Sequence, residues 1–193
     1  MFSTRIATQI YAKICFETTL GQKKIIEKLS EYLAGDDFSR IFVLNGFAGT
    51  GKTTLIAALV AALKELRIKP VLLAPTGRAA KVLARYCGEQ ALTIHKRIYR
   101  QRTNADYESK FSLDFNREQG AVFIVDEASM LSDSTGDGAL FGSGSLLEDL
   151  VSYVRSGRGC RLILVGDSAQ LPPVGCDFSP ALDPATVSRY GEV

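Results

Sequence analysis

The stretch IFVLNGFAGTGKTT, Ile41 to Thr54, decides the reading of this chain. It opens with a short continuous apolar run, Ile41–Leu44, the pattern of a strand buried on both faces. Three glycines and a lysine follow, and then an alanine- and leucine-rich segment that predicts a helix from Lys52 to Arg67, closed by Pro70. Gly46-x4-Gly51-Lys52-Thr53 is a complete Walker A motif, and its place between a strand and a helix is the context that confirms it. The glycines let backbone N–H groups converge on phosphate oxygens. The helix beginning near Lys52 points its positive end at the anion. Gly46, Ala48, Gly49, Thr50, Gly51, Lys52, Thr53 and Thr54 are therefore the expected nucleotide contacts. Lys52 supplies a full charge to the β and γ phosphates, and the Thr53 hydroxyl is placed to ligate Mg²⁺. The expected cofactors are ATP and Mg²⁺.

A second element completes the chemistry. Asp126 and Glu127 follow the apolar run Ala121–Val125. A carboxylate at the carboxyl end of a parallel strand lies beside the phosphate crevice. Asp126 is expected to hold the hydrated Mg²⁺, and Glu127 to orient and deprotonate the attacking water. A second carboxylate beside the metal ligand favours hydrolysis over transfer to a bound alcohol, which weighs against a small-molecule kinase. Gln22 has two readings. Its amide can pair with both the donor and the acceptor on an adenine edge, or it can close a capping box with Thr19 at the start of a helix predicted over Leu20–Leu33.

Outward from these motifs, strands alternate with helices. Val71–Ala74 and Arg161–Val165 read as strands; Arg78–Tyr86 and Leu146–Arg155 read as helices. That alternation implies right-handed crossovers and a parallel sheet, an α/β P-loop NTPase fold. The 193 residues suffice for one such domain with a sizeable core. A net charge of +2 gives no global basic footprint, so any nucleic-acid contact must come from a local track. Four cysteines without a C-x-x-C pair, beside a single histidine, give no zinc spacing. The N-terminus lacks an apolar signal-peptide core, and no run approaches a membrane span, so a cytoplasmic setting without membrane contact is expected. Two segments exceed a minimal domain. Residues 100–119 are polar, with Phe111, Leu113 and Phe115 alternating as in a hairpin strand. Residues 132–145 (SDSTGDGALFGSGS) are rich in glycine and serine and read as a mobile loop.

Four segments lie in order: NGFAGTGKTT (45–54), LLAPTGRAAKVL (72–83), FIVDEASM (123–130) and LILVGDSAQLPPVG (162–175). Together they resemble motifs I, Ia, II and III of superfamily 1 helicases, in the RecD-type branch, subfamily B. The resemblance runs from about Gln22 to Gly175. The phosphate loop is shared with many ATPases; APTGRAA and GDSAQLPPV are much more specific, and the latter is unlike the UvrD-type branch. The resemblance implies a RecA-like three-layer domain with a central, mostly parallel sheet, and a 5′ to 3′ motor acting on single-stranded DNA. It implies that Gln170 senses the γ-phosphate and that Gln22 reads adenine. It also implies that Pro75, Thr76 and Arg78 line the strand path, and that Thr93 and His95 lie near the DNA-binding face. Arg78 otherwise reads as a solvated cation and His95 as a structural residue. Lys96, Arg97, Arg100 and Arg102 form a local basic cluster that fits either phosphates or a solvated helix face.

Helicases of this type carry two RecA-like domains with ATP in the cleft between them, and the second domain supplies the arginines that complete the site. The expectation is that residues 1–193 are the N-terminal ATP-binding domain of a longer helicase whose second motor domain is missing here, with inserted segments at 100–119 and 132–145. Helicase–nuclease subunits are possible partners of unknown identity. The competing readings are a P-loop ATPase or kinase unrelated to DNA, and a nucleotide-binding fragment without activity of its own.

Overall fold

The computed structural model describes residues 2–103, 109–133 and 141–193. Among them are seven strands: β1 (Ile41–Asn45), β2 (Pro70–Ala74), β3 (Ala91–Thr93), β4 (Tyr99–Thr103), β5 (Ser109–Leu113), β6 (Val122–Val125) and β7 (Arg161–Gly166). The helices are α1 (Phe2–Lys13), α2 (Leu20–Ala34), α3 (Lys52–Glu65), α4 (Gly77–Cys87), α5 (Ile94–Ile98), α6 (Leu146–Ser156) and α7 (Pro184–Val187). Five strands form one parallel sheet in the order β1-β7-β6-β2-β3, while β4 and β5 pair as a separate antiparallel hairpin. The expected α/β three-layer architecture is the one observed.

The strand runs are apolar throughout because both faces of the sheet are covered. Their side chains alternate between two cores. Val71, Leu73, Phe123, Val125, Leu162 and Leu164 face one layer, with α5, α6 and the C-terminal segment. Leu72, Val122, Ile124, Ile163 and Val165 face the other, with α1, α2, α3 and Leu83 of α4. A one-residue slip of any central strand would exchange these two sets.

The element ends have local causes. Thr19 and Gln22 form the capping box at α2: Gln22 N donates to Thr19 Oγ1 at 3.2 Å and Thr19 N donates to Gln22 Oε1 at 3.0 Å. Helix α3 stops at Glu65, two residues before the expected end. Arg67 takes a left-handed conformation (φ 60°), and Ile68 N and Arg67 N donate back to Leu63 O and Lys64 O. This is a Schellman closure made with arginine where glycine is usual. Helix α1 carries no motif; it docks through Ile6 and Ile10, one turn apart and fully buried.

The segment at 100–119 contains the hairpin that the alternation suggested, with Tyr99 opposite Leu113 and Gln101 opposite Phe111. Phe115 falls beyond the strand and is exposed. The mobile-loop expectation for 132–145 falls mainly on 134–140, outside the described residues. The flanks are tied down: Leu147 N donates to Ser132 O at 3.1 Å, and Ser145 Oγ caps α6 by accepting from Glu148 N at 3.2 Å. At the opposite end of the sheet, buried Arg161 donates to Gly35 O and lies over the rings of Phe38 and Tyr32, at 4.5 and 5.5 Å. Tyr32 clamps the same strand by exchanging hydrogen bonds with Leu162 O and N at 2.9 and 3.1 Å, and burial pushes its phenol up to about 12. No helix among the described residues is long and apolar enough to cross a membrane.

Candidate nucleotide site

The site is made at the carboxyl ends of β1, β7, β6 and β2, where the chain leaves the sheet. Gly46 N donates to Gly166 O at 3.1 Å, so the loop after β1 starts in contact with β7. Gly49 and Gly51 then take positive φ angles of 75° and 85°, which turn the backbone into a cradle. Helix α3 begins at Lys52, and its first N–H groups have no intrahelical acceptor. They are the natural donors for an anion. Thr50 Oγ1 braces the loop by donating to Phe47 O at 2.8 Å. Lys52 Nζ donates to the carbonyls of Gly46 and Phe47, the latter at 2.8 Å, which holds its ammonium over the loop.

A cavity of about 390 Å³ opens here, lined by Gln22, Ile25, Gly46, Gly51, Lys52 and Leu55 among others. That volume lies in the range of small-molecule and cofactor sites. The capping-box reading of Gln22 is the one observed, and the same side chain lines the cavity. Besides closing the capping box, its Nε2 donates to Thr50 O at 3.3 Å, across the mouth of the cavity. An amide has a second N–H and a second lone pair, so it can keep the cap and still pair with a base edge. Glycine is favoured at 51 by its positive φ, and a Cβ there would stand 3.0 Å from Gln22 Nε2 and press on that side chain.

Asp126 is set by the sheet: its N–H donates to Leu73 O at 3.0 Å, continuing the β2–β6 ladder by one residue. Its Oδ1 accepts from Glu127 N at 2.9 Å. Burial raises the Asp126 carboxyl above its ordinary value, although Glu127 N–H and Lys52 both pull it down. Glu127 is raised by burial and then by Asp126, with Arg78 opposing. Glu127 also has a left-handed backbone (φ 55°), a conformation found at functional turns. Two desolvated neighbouring carboxyls beside a lysine suit a cation brought in with phosphate. Among the described residues no group of three or more His, Cys, Asp or Glu could hold a metal alone. Mg²⁺ fits that pattern, since it takes one or two protein oxygens and completes its shell with phosphate and water. Asp126 and Thr53 are the oxygens that could hold it.

Gln170 stands on the same edge, in the turn after β7. Its N–H donates to Asp167 O at 3.1 Å and its side chain is exposed, lining an open cavity of about 1090 Å³ with Met130 and Leu171–Val174. No bond joins it to Lys52 or Asp126. The link between the two loops is a pair that the sequence reading passed over. Asn45 Nδ2 donates to Ser168 Oγ at 3.0 Å, and Ser168 N donates to Asn45 Oδ1 at 3.1 Å. The available signal was a polar residue ending an otherwise apolar strand.

Pro75 and Thr76 leave β2, and β3 leaves beside them because Ala74 pairs with Thr93. The two segments expected on the DNA face are therefore neighbours. Thr76 Oγ1 accepts from Ala79 N at 3.1 Å and caps α4; Thr93 Oγ1 accepts from Lys96 N at 3.2 Å and caps α5. Arg78 is exposed. His95 is half-buried, with its ring 5.0 Å from Phe141 and 5.6 Å from Tyr99, and burial lowers its pKa. A neutral imidazole packed on aromatics suits the structural reading better than a phosphate contact. The basic cluster is partly neutralised: Arg97 pairs with Glu118 at 2.6 Å and Arg100 with Asp114 at 2.9 Å, leaving Lys96 exposed.

Comparison with known proteins agrees with this geometry. A family model described as an AAA domain matches residues 19–177. The ATP-dependent RecD2 DNA helicase of Deinococcus radiodurans is 33% identical over 135 residues, covering 70% of this chain and 16% of that protein. The RecBCD enzyme subunit RecD of Mycobacterium tuberculosis is 35% identical over 158 residues, covering 69% and 24%. The ATP-dependent DNA helicase dda of Enterobacteria phage T4 is 34% identical over 136 residues, covering 68% and 28%. The chain thus spans between about a sixth and somewhat over a quarter of the length of these relatives. With the phosphate cradle, the carboxylate pair and the loop after β7 on one sheet edge, the chain belongs to the AAA-domain family, in its RecD-type superfamily 1 helicase branch.

Proposed function

We propose that the chain is the ATP-binding and hydrolysing motor domain of an ATP-dependent DNA helicase that acts on single-stranded DNA in the 5′ to 3′ direction. The observation that carries this is the convergence of the phosphate loop, the Asp126–Glu127 pair and the loop bearing Gln170 on one sheet edge, the first and last fastened by the Asn45–Ser168 pair, in a chain similar to DNA helicases.

In this reading the backbone cradle and the start of α3 bind the triphosphate, and Lys52 leaves its carbonyl partners to meet the β and γ phosphates. Gln22 reads the adenine edge. Asp126 and Thr53 hold Mg²⁺, which, when bound, neutralises charge developing on the phosphates. Glu127 orients the attacking water and takes its proton; burial and Asp126 raise its carboxyl above the ordinary value, which makes the carboxylate a stronger base. Gln170 registers whether the γ position is filled. Pro75, Thr76, Arg78 and His95 belong to the strand path, His95 by shaping the face rather than by charge.

No arginine among the described residues lines the phosphate cavity. Arg155 donates to Ser39 O and Tyr190 O, and Arg189 lies 3.6 Å from Asp133. An arginine finger is worth roughly 10³–10⁵ in rate where one acts. We therefore assign it to a second RecA-like domain, and residues 1–193 should bind Mg-ATP weakly, turn over slowly and unwind nothing. A cytoplasmic setting, and helicase–nuclease subunits of unknown identity as further partners, belong to the same proposal. The test is a coupled ATPase assay with and without single-stranded DNA, beside a version carrying a second motor domain. DNA stimulation only in the latter supports the proposal; turnover indifferent to DNA in both favours a P-loop ATPase unrelated to DNA.

A further inference from the structure

Helix α4 carries Arg78, Lys81 and Arg85 and no carboxylate. Helix α2, by contrast, intersperses Lys23, Lys24 and Lys28 with Glu27 and Glu31. Several cations on other elements are paired: Lys13 with Glu65, Lys64 with Glu89, Lys69 and Arg97 with Glu118, Arg100 with Asp114. None of the ion pairs among the described residues involves a cation of α4, and Arg78 lies within electrostatic reach of Glu127.

The three cations share one face. Arg78, Lys81, Val82, Arg85 and Tyr86 recur at the three- and four-residue spacing of a helical stripe, and all five are exposed. Val82 is 48% and Tyr86 64% exposed, large values for apolar and aromatic side chains. The opposite face, Ala79, Ala80 and Leu83, is the one buried on the domain. Seven residues at about 1.5 Å rise put the three charges within roughly 10 Å. The helix starts at the rim where Thr76 leaves β2 and runs away from it.

We propose that this face of α4 is a second binding surface for single-stranded nucleic acid, continuous with the strand path at Pro75–Arg78. The inference rests on the helicase reading above and extends the track beyond its motif. Lys81 and Arg85 meet successive phosphates, and Tyr86 offers its ring to an unstacked base, with Val82 beneath. Charge decides the class of partner: the stripe is uniformly positive and needs a polyanion. The exposed ring decides for a single strand, because bases inside a duplex are not free to stack on it.

The test uses the 193-residue chain and a fluorescein-labelled oligothymidylate, with binding followed by anisotropy over a salt series. Replacing both Lys81→Gln and Arg85→Gln should weaken binding at low salt at least tenfold. It should also lower the slope of log K against log salt by about 1.4, near 0.7 for each phosphate contact on a single strand. Tyr86→Ala should cost about tenfold, and Tyr86→Phe should restore binding, with circular dichroism reporting that α4 stays folded. An unchanged affinity and slope in the double variant overturns the surface while leaving the helicase reading in place. An unsubstituted chain that binds no oligothymidylate overturns the surface, while DNA-stimulated turnover of the version carrying a second motor domain reports on the helicase reading separately. Binding of a glutamate-rich peptide at this face, with no competition from oligothymidylate, overturns the surface in favour of a protein partner.

Discussion

The phosphate loop and the β4–β5 hairpin are both polar excursions from the same sheet, yet they are held in opposite ways. The loop is fixed by backbone: positive-φ glycines, carbonyls that accept from Lys52, and a strand ladder that runs one residue on to Asp126. The hairpin is fixed by side chains. Phe141 stacks on Phe111 at 4.5 Å and touches Tyr99 and His95, while Tyr99 donates to buried Asp149 at 2.7 Å. Asp149 also accepts from Ser143 N at 3.0 Å. Backbone-built geometry is legible as a motif. Side-chain-built geometry depends on residues far apart in sequence meeting, here from 95 to 149. The two regions should therefore fail differently, the first in chemistry and the second in stability.

The largest effect expected is on hydrolysis. Glu127→Gln removes the base but keeps size and hydrogen bonding, so single-turnover hydrolysis should fall about 10²–10⁴-fold with Mg-ATP affinity retained. Hydrolysis at the unsubstituted rate would place the base elsewhere. Lys52→Ala should weaken nucleotide binding roughly 10- to 150-fold, from the loss of about 1.5–3 kcal/mol of charged hydrogen bonding, with an unchanged circular dichroism spectrum. A nucleotide titration that superimposes on the unsubstituted chain would sink the phosphate-site assignment.

On the hairpin side, Phe141→Ala should lower unfolding stability by about 2 kcal/mol, from lost burial and ring contacts, and leave nucleotide affinity unchanged. Urea denaturation checks the first half and the same titration the second; a coupled loss of both would erase the contrast drawn here. The smallest effect is a pH slope. Burial lowers the His95 pKa, so the unfolded chain binds the proton more readily. Stability is then complete above the ordinary histidine pKa, about 6.5, and declines as pH falls through the lower folded value. His95→Gln should flatten the melting temperature against pH below the ordinary histidine value. Parallel profiles would mean that His95 is as solvated folded as unfolded.

The central sheet and both chemical loops were legible because each strand is a short, apolar run and each loop follows one. Other features were not. Helix α1 announces itself only by Ile6 and Ile10, and a pair one turn apart is weak evidence without the surface it meets. Strand β3 is three residues long and exists because β2 pairs with it. The end of α3 was hidden because arginine occupies a conformation that glycine usually signals. Within the site, the catalytic types were readable from spacing, but Asn45 gained its meaning only from Ser168, 123 residues away.

That pair has a mechanical consequence. Asn45 lies opposite Gly166 in the β1–β7 register, and two reciprocal bonds follow immediately at Ser168. A loop clamped twice at its root cannot pivot there. Ala169 N and Gln170 N donate in turn to Asp167, at 2.9 and 3.1 Å, so any swing of Leu171 and Val174, whose side chains stand almost fully in solvent, must hinge beyond Gln170. The phosphate loop and the root of the loop after β7 are then one rigid piece, and the arm free to move is short. A short arm on a fixed pivot trades reach for fidelity: a displacement at the pivot reaches the tip with little lost to slack.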